Sequence, residues 1–567
     1  MEEIKVYCKN NNREYSVKPG TNFYQFAEIA GYENYKIDGL QILAAYSNHV
    51  LKHLTHEIYK SLEIEFITYP NADARRCYKR SLNFMAQKAI NELYPDAVLN
   101  LNYTLPNGQY GELRQKENPK LLYPITDEDI KKIKEKIHEI EKRNLVFIKE
   151  EHSTNEAKQI FTSHGQPKKT MLLEERGDYY VTTYRLDDYV DTFYGPMVYS
   201  TSHIDKWSIY KYNHGFCLQI PAVRPPYNLI PDQKKQKGLT EIFAENAEWS
   251  EILNVSDIAT INYGISDGYG KQIINIAEAL HSRKYAHIAD MIYERKENVR
   301  VVLIAGPSSS GKTTTSLRIA LQLRLLGLNP IVVAMDDYFV SRDKTPKDEK
   351  GEYDFESVYA LDLELLNSHL NMLFNGEEVQ LPKFNFEKGF STPTGKRIKM
   401  KEGDILIMEG IHALNPTLTE KIDDSYKFKV YASALTSLAI DENNYISTTD
   451  NRELRRMVRD NNFRGSSAES TILRWPSVVD GEYKNIFPYQ ENADVMFNSS
   501  LIYELPMLKY FAEPLLRRIS PTSKAYAESL RLINFLKHII PLTPQEMSAI
   551  PPTSIMREFI GESSFEY

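Results

Sequence analysis

A lysine and a hydroxyl set in a glycine-bounded turn can grip a polyphosphate, and this chain contains such a set. Gly306, Gly311, Lys312 and Thr313 fall in the order G-x-x-x-x-G-K-[ST] within VVLIAGPSSSGKTTT, residues 301–315. Glycines let backbone N–H groups turn inward around an anion, and a following helix N-terminus adds partial positive charge. Lys312 is placed to reach β- and γ-phosphates, and the Thr313 hydroxyl to hold Mg²⁺. Gly306, Pro307, Ser308, Ser309, Ser310, Gly311, Lys312, Thr313 and Thr314 form the candidate ATP-binding loop. Two carboxylates are placed to work beside it. Asp336 closes the apolar run NPIVVAMDDYF, with Tyr338 just after it, and Glu409 ends the run DILIME. A carboxylate at Asp336 can take the proton of an attacking hydroxyl. One at Glu409 can ligate Mg²⁺ directly or through water.

A third group is cationic. NRELRRMVRDNNFRG carries Arg452, Arg455, Arg456, Arg459 and Arg464. So many cations on one helical segment repel unless an anion lies nearby, and bidentate arginines suit a transferring phosphoryl group. Arg459 and Arg464 are carried forward as candidate catalytic residues with Lys312 and Asp336, on the family resemblance set out below. The stretch after them, to about Pro476, is expected to be a mobile lid.

These residues need a scaffold that brings them together. Val301 to Ala305 reads as a buried strand and Ser316 to Leu326 as the helix behind the loop. From Asn298 onward strands and helices alternate, which favours a parallel, doubly wound sheet. Ligands of such sheets sit beyond the carboxyl ends of the strands, where Asp336 and Glu409 fall.

At 567 residues the chain should fold as about three or four domains. Its net charge of −8 argues against broad nucleic-acid binding. Cys8, Cys77 and Cys217 are scattered, without metal-ligand spacing, and suggest a reducing compartment. The start MEEIKVYCKNNN lacks signal-peptide order, and no apolar run is long enough for a membrane span. The expectation is a cytoplasmic protein with no membrane contact.

Residues 1–70 read as a small α+β unit with a helix from Asn22 to Ala30. Residues 71–222 follow, with helices over NADARRCYKRSLNFMAQKAINELYP and DEDIKKIKEKIHEIEKRN, the second with Asp127 as its cap. Residues 223–297 are a helical linker, interrupted by a loop at 262–270. Residues 298–500 are the phosphate-binding core. Residues 501–567 are a helical extension, whose SIMREFIGESSF has no role that the sequence explains.

The core resembles the uridine kinase and phosphoribulokinase group of P-loop kinases. GPSSSGKTT, MDDYF, YDFESVYALD, VQLPKFNF, IMEGIHAL and R-x-x-R-R-x-x-R-D with R-G follow that family's order. The resemblance implies ATP and Mg²⁺, with Asp336 as base and Asp354 as ribose-hydroxyl ligand. It implies Phe384 and Phe386 as base-side contacts, and Arg456, Arg459 and Arg464 as arginines on the phosphates. Asp336, Tyr338, Asp354, Phe384, Phe386 and Arg456 make up the candidate substrate set. Gly389 stands where uridine kinases carry the histidine that reads a pyrimidine edge.

Residues 1–70 resemble the TGS β-grasp module of threonyl-tRNA synthetases and some GTPases. Residues 71–222 resemble the second, editing-associated domain of those synthetases. That domain's H-x-x-x-H and C-x-x-x-H pairs fall on Arg80, Phe84, Phe193 and Met197, none of which binds metal or moves a proton. The resemblance implies a degenerate α+β domain that keeps the fold without the editing chemistry, and it reads either as a scaffold that packs on the core or makes a dimer, or as a ligand-sensing or RNA-contacting module. The fold class expected is thus an α/β P-loop kinase core preceded by β-grasp and α+β domains.

The function so implied is transfer of the ATP γ-phosphate to the 5′-hydroxyl of a nucleoside. Two alternatives stand beside it. A kinase of a phosphorylated sugar needs further cations, which the sequence does not place. A nucleotide-binding regulator linked to tRNA or ribosomes would contact nucleic acid through the N-terminal domains, but no N-K-x-D for guanine occurs.

Overall fold

The computed structural model describes residues 3–105, 108–232, 236–253, 255–347, 351, 353–385, 388–436 and 438–567. The front of the chain is a mixed six-stranded sheet. In it Ile4–Cys8 pairs antiparallel with Arg13–Val17 and parallel with Leu62–Thr68. Its helix, Phe23–Ile29, starts where the Asn22 side chain accepts from the Gln25 N–H, and it buries Phe23 and Phe26.

Helix α1 (Ala72–Leu93) follows and is buried along most of its length. It shares an apolar core with a second helix, Asp127–Lys142, and with an antiparallel sheet of four strands. The second helix is capped by Thr126, whose hydroxyl accepts from the Asp129 N–H, so Asp127 is its first helical residue and not its cap. Arg80, Phe84, Phe193 and Met197 do converge. The Phe84 and Phe193 rings lie 5.0 Å apart, Met197 is fully buried, and Arg80 donates to the Pro196 carbonyl. The place is filled by apolar packing.

Helices Lys237–Leu253, Ile258–Ser266 and α2 (Gly270–Glu294) lead to the core. The loop expected at 262–270 is shorter than its glycines suggest. Asp257 caps the middle helix, and only residues 267–269 break it from α2.

Five strands then form the sheet that carries the site. They are β1 (Val301–Ala305), β2 (Asn329–Ala334), β3 (Asp404–Glu409), β4 (Lys427–Ser433) and β5 (Val495–Asn498). Their order is β2-β3-β1-β4-β5, and every neighbouring pair is parallel. β1 and β3 are buried at every position, which is why both read as unbroken apolar runs. Val302 and Ile304 face one cluster with Ile319 and Leu323 of α3 (Lys312–Leu325), while Val301 and Leu303 face another with Leu366 and Leu370.

The arginine segment is α4 (Thr448–Phe463). The lid expected after it is instead α5 (Ala468–Asn485), a continuous helix that tolerates Pro476. Helices α6 (Glu504–Leu516) and α7 (Tyr526–Leu536) pack with α4 in one core that also takes Ile555, Met556 and Phe559. Among the described residues, no helix is long and apolar enough to cross a membrane.

Candidate functional site

Crowding dictates the glycines of the phosphate loop. A Cβ on Gly306 would lie 1.9 Å from the Ala432 carbonyl oxygen, so no larger residue fits between β1 and β4. Gly311 has φ +77 and caps α3 in a left-handed conformation. Ser309 adopts φ +59 without being glycine, a local strain that helps turn the loop inward. The Ser309 and Ser310 hydroxyls are buried without a hydrogen-bond partner among the described residues. Such orphaned donors in a loop of this shape are ready for an anion. Lys312 donates to the Pro307 carbonyl across the loop at 3.2 Å.

The acids lie where the sheet ends. The Thr313 hydroxyl donates to Glu409 Oε1 at 2.9 Å. Burial, and then the nearby Asp336, push the Glu409 carboxyl up to about 7, against the pull of Lys312. Two facing carboxylates and a hydroxyl are a donor set that a hard divalent cation fits, because its charge relieves their repulsion. Asp336 sits on the short 3₁₀ turn Met335–Tyr338 that leaves β2. Its neighbour Asp337 accepts from the Phe384 N–H at 3.3 Å and pairs with Lys383, so it ties down the hairpin of strands Glu378–Asn385 and Phe390–Lys399.

The residues expected to bind substrate fare differently. Asp354 accepts from the Glu356 N–H at 3.1 Å and lines a cavity beside the core. Glu356, which the sequence reading passed over, lines the same cavity. Its side chain packs against Gly481 of α5, and its Oε2 is buried with no partner among the described residues. Burial and Glu482 push its carboxyl up to about 7, while Arg456 and Lys312 pull the other way. Tyr338 is buried, with its hydroxyl on His369 at 2.9 Å. Phe384 is buried against Phe339, ring centroids 5.5 Å apart. Phe386 lies outside the described residues. Gly389 has φ +75, and a Cβ there would come 2.9 Å from Arg342 Nε, so Arg342 occupies the space a side chain would need.

The arginines divide into two jobs. Arg452 and Arg455 are fully buried and paired with Glu482 and Glu504. Arg452 Nη1 also donates to the Ser308 carbonyl at 3.1 Å, and Glu482 accepts from the Ser308 N–H at 3.0 Å. These two brace the loop from behind. Arg456, Arg459 and Arg464 instead gather on one carboxylate, Asp460. Arg456 Nη1 reaches the Ser308 hydroxyl at 2.8 Å, and burial with Arg459 lowers Arg464 to about 10. Three guanidiniums gathered at Asp460 make a cationic cluster of the kind that suits an anion.

The C-terminal stretch that the sequence left unexplained reaches the loop. Glu558 Oε2 accepts from the Thr314 hydroxyl at 2.7 Å and from its N–H at 3.3 Å. The Tyr567 hydroxyl lies 3.0 Å from the same Thr314 Oγ1, and Asn462 of α4 donates to the Phe559 carbonyl. No pattern in the sequence signals these contacts, because they join residues 244 and 253 positions apart.

A sequence profile described as the phosphoribulokinase / uridine kinase family matches residues 301–502. A uridine kinase of Staphylococcus haemolyticus is 31% identical over 201 residues, 35% of this chain and 87% of the relative. One of Staphylococcus epidermidis is 30% identical over 198 residues, again 35% of this chain and 86% of the relative. Among solved structures, D-glycerate 3-kinase from Cryptococcus neoformans overlaps 36% of this chain and 88% of its own, at 14% identity and a TM-score of 0.28.

Proposed function

The chain belongs, through residues 301–502, to the phosphoribulokinase / uridine kinase family, and from that premise we propose that it moves the γ-phosphate of ATP to the 5′-hydroxyl of a nucleoside. The observation that carries the reading is the meeting of Thr313, in the first turn of α3, with Glu409 and Asp336 at the ends of the neighbouring strands β3 and β2, beside Lys312. The relatives named as uridine kinases favour a nucleoside as acceptor.

In this reading the inward-facing N–H groups and Lys312 hold the donor's phosphates. Mg²⁺ held by Thr313 and Glu409 would offset the charge of the transferring phosphoryl group. Asp336 accepts the proton of the acceptor hydroxyl, which aligns it for in-line attack. Arg456, Arg459 and Arg464 stabilise the charge spreading over the equatorial oxygens. Glu356, with its unpartnered oxygen, and Asp354 hold the sugar hydroxyls. The chain's own contribution is position and charge.

Lys312→Ala and Asp336→Asn should each cut nucleoside-dependent ADP release at least about a hundredfold. Full turnover in both variants would overturn the assignment.

A further inference from the structure

The cavity that holds Asp354, Glu356 and Arg456 does not end at the core. It runs on to α1 of the N-terminal half, encloses about 1810 Å³, and has Arg75, Lys79 and Arg80 on its far wall. That is well beyond the roughly 300–1,000 Å³ of an ordinary small-molecule site, and more than a nucleoside needs.

The far wall carries a run of four cations on α1, with the acids Asp73, Asp450, Glu453 and Glu528 lining the cavity beside it. Arg75, Arg76, Lys79 and Arg80 stand at i, i+1, i+4 and i+5 on α1, so each i, i+4 pair repels. Among the described residues Arg76 alone of the four has acid partners, Asp73 and Glu528. Arg75 donates to the carbonyls of Tyr69 and Pro70, Lys79 to the Tyr445 hydroxyl at 2.9 Å, and Arg80 to the Pro196 carbonyl. All these acceptors are neutral. Burial and the neighbouring Arg76 hold Arg75 below the usual guanidinium range. Arg75, Lys79 and Arg80, half-buried in a cavity and without an ion pair to an acid among the described residues, are suited to an anion. The near wall is acidic and faces the reaction, since Glu356 feels both Lys312 and Asp336.

We propose that this cavity takes an acceptor nucleoside carrying a phosphate of its own, which Arg75, Lys79 and Arg80 hold at the end away from the reacting hydroxyl. The inference rests on the 5′-hydroxyl reading above. With that hydroxyl turned to Asp336, the extra phosphate lies across the sugar at the 3′ position, directed to α1, and only the 2′-hydroxyl is left for Asp354 and Glu356. The same chemistry is offered by a free nucleoside 3′-phosphate and by the 5′-hydroxyl end of a short oligonucleotide.

The test is ADP release by the full chain with each of the four ribonucleosides, with its 3′-monophosphate, and with tetranucleotides bearing a free 5′-hydroxyl. A 3′-phosphate should lower KM at least tenfold against the parent nucleoside. The KM of the phosphate-bearing acceptor should climb with ionic strength, while that of the nucleoside holds steady. In R75Q/K79Q, which keeps most of each side chain's length, the KM ratio between nucleoside and 3′-phosphate should fall towards one. A tetranucleotide equal to the monophosphate identifies the free nucleotide as the acceptor, and a clearly better one identifies the strand end. If nucleosides are phosphorylated and the 3′-phosphate brings no gain, the inference is overturned and the kinase reading stands. If no acceptor of any kind releases ADP, both fall.

Discussion

Burial and Asp336 together hold the Glu409 carboxyl up at about 7, against 4.5 for an ordinary glutamate. A carboxyl raised on folding favours the fold below its unfolded pKa, and that stability is lost as pH rises through the folded one. Without nucleotide or metal, the melting temperature should therefore fall between about pH 5 and pH 8, with Glu356 acting in the same window. Ionised Glu409 is also the form that a metal would need, so on the proposed reading Mg²⁺ affinity should rise about tenfold from pH 6 to pH 8. Glu409→Gln should flatten that rise in a Mg²⁺ titration. A Mg²⁺ affinity independent of pH in the parent protein would sink the argument. Glu356 makes a second case. Glu356→Gln should raise the acceptor KM by about tenfold and leave the KM for ATP nearly unchanged, because its side chain lines the cavity beside the core. The sequence could point to the turn YDFESV, since its carboxylates stand out. It could not say that Asp354 would cap a backbone N–H while Glu356 kept a free oxygen, because that depends on how close Gly481 of α5 lies.

At the level of elements, α4 was legible as a basic helix and illegible in its facing. A helical run of five arginines suggests one charged surface, yet Arg452 and Arg455 point inward because Glu482 and Glu504 arrive from α5 and α6. Their partners lie 30 and 49 residues away, beyond any helical period. The two groups should answer differently to mutation. Arg455→Ala leaves Glu504 buried and unpaired, which costs about 3–5 kcal/mol, and thermal unfolding should show a drop of several degrees. Arg459→Ala should barely move that transition while kcat falls about a hundredfold or more. Equal thermal losses in both would contradict the division. The lid misreading has a similar origin. Pro476 and a glycine at 481 look like breaks, but Val478 and Trp475 bury against the core and keep α5 continuous.

Over the whole molecule, the phosphate loop, its strand and its helix could be read directly, because that chemistry is local and needs glycine at fixed positions. What surrounds the loop is distant in sequence. Residues 441–444 bond back to Gln166 and Lys169, and Glu558 and Tyr567 close over Thr314. Glu558 offers its carboxylate to an N–H and a hydroxyl of the helix start that suit a phosphate oxygen. Two anions cannot share those donors, so Glu558→Ala should tighten ADP binding severalfold in calorimetry. Weaker binding would show that the carboxylate helps hold the nucleotide.

The span between Thr314 and Glu558 also sets a timetable for synthesis. At about 5–20 residues per second, the ribosome needs on the order of 12–50 s to make the stretch that closes over the loop. Through that interval the nascent glycine turn has neither Glu558 nor Tyr567 upon it, and Ile555 and Phe559 have yet to enter the core beside it. The emerging chain thus has an uncovered glycine turn and an unfilled apolar seat together until its last residues arrive.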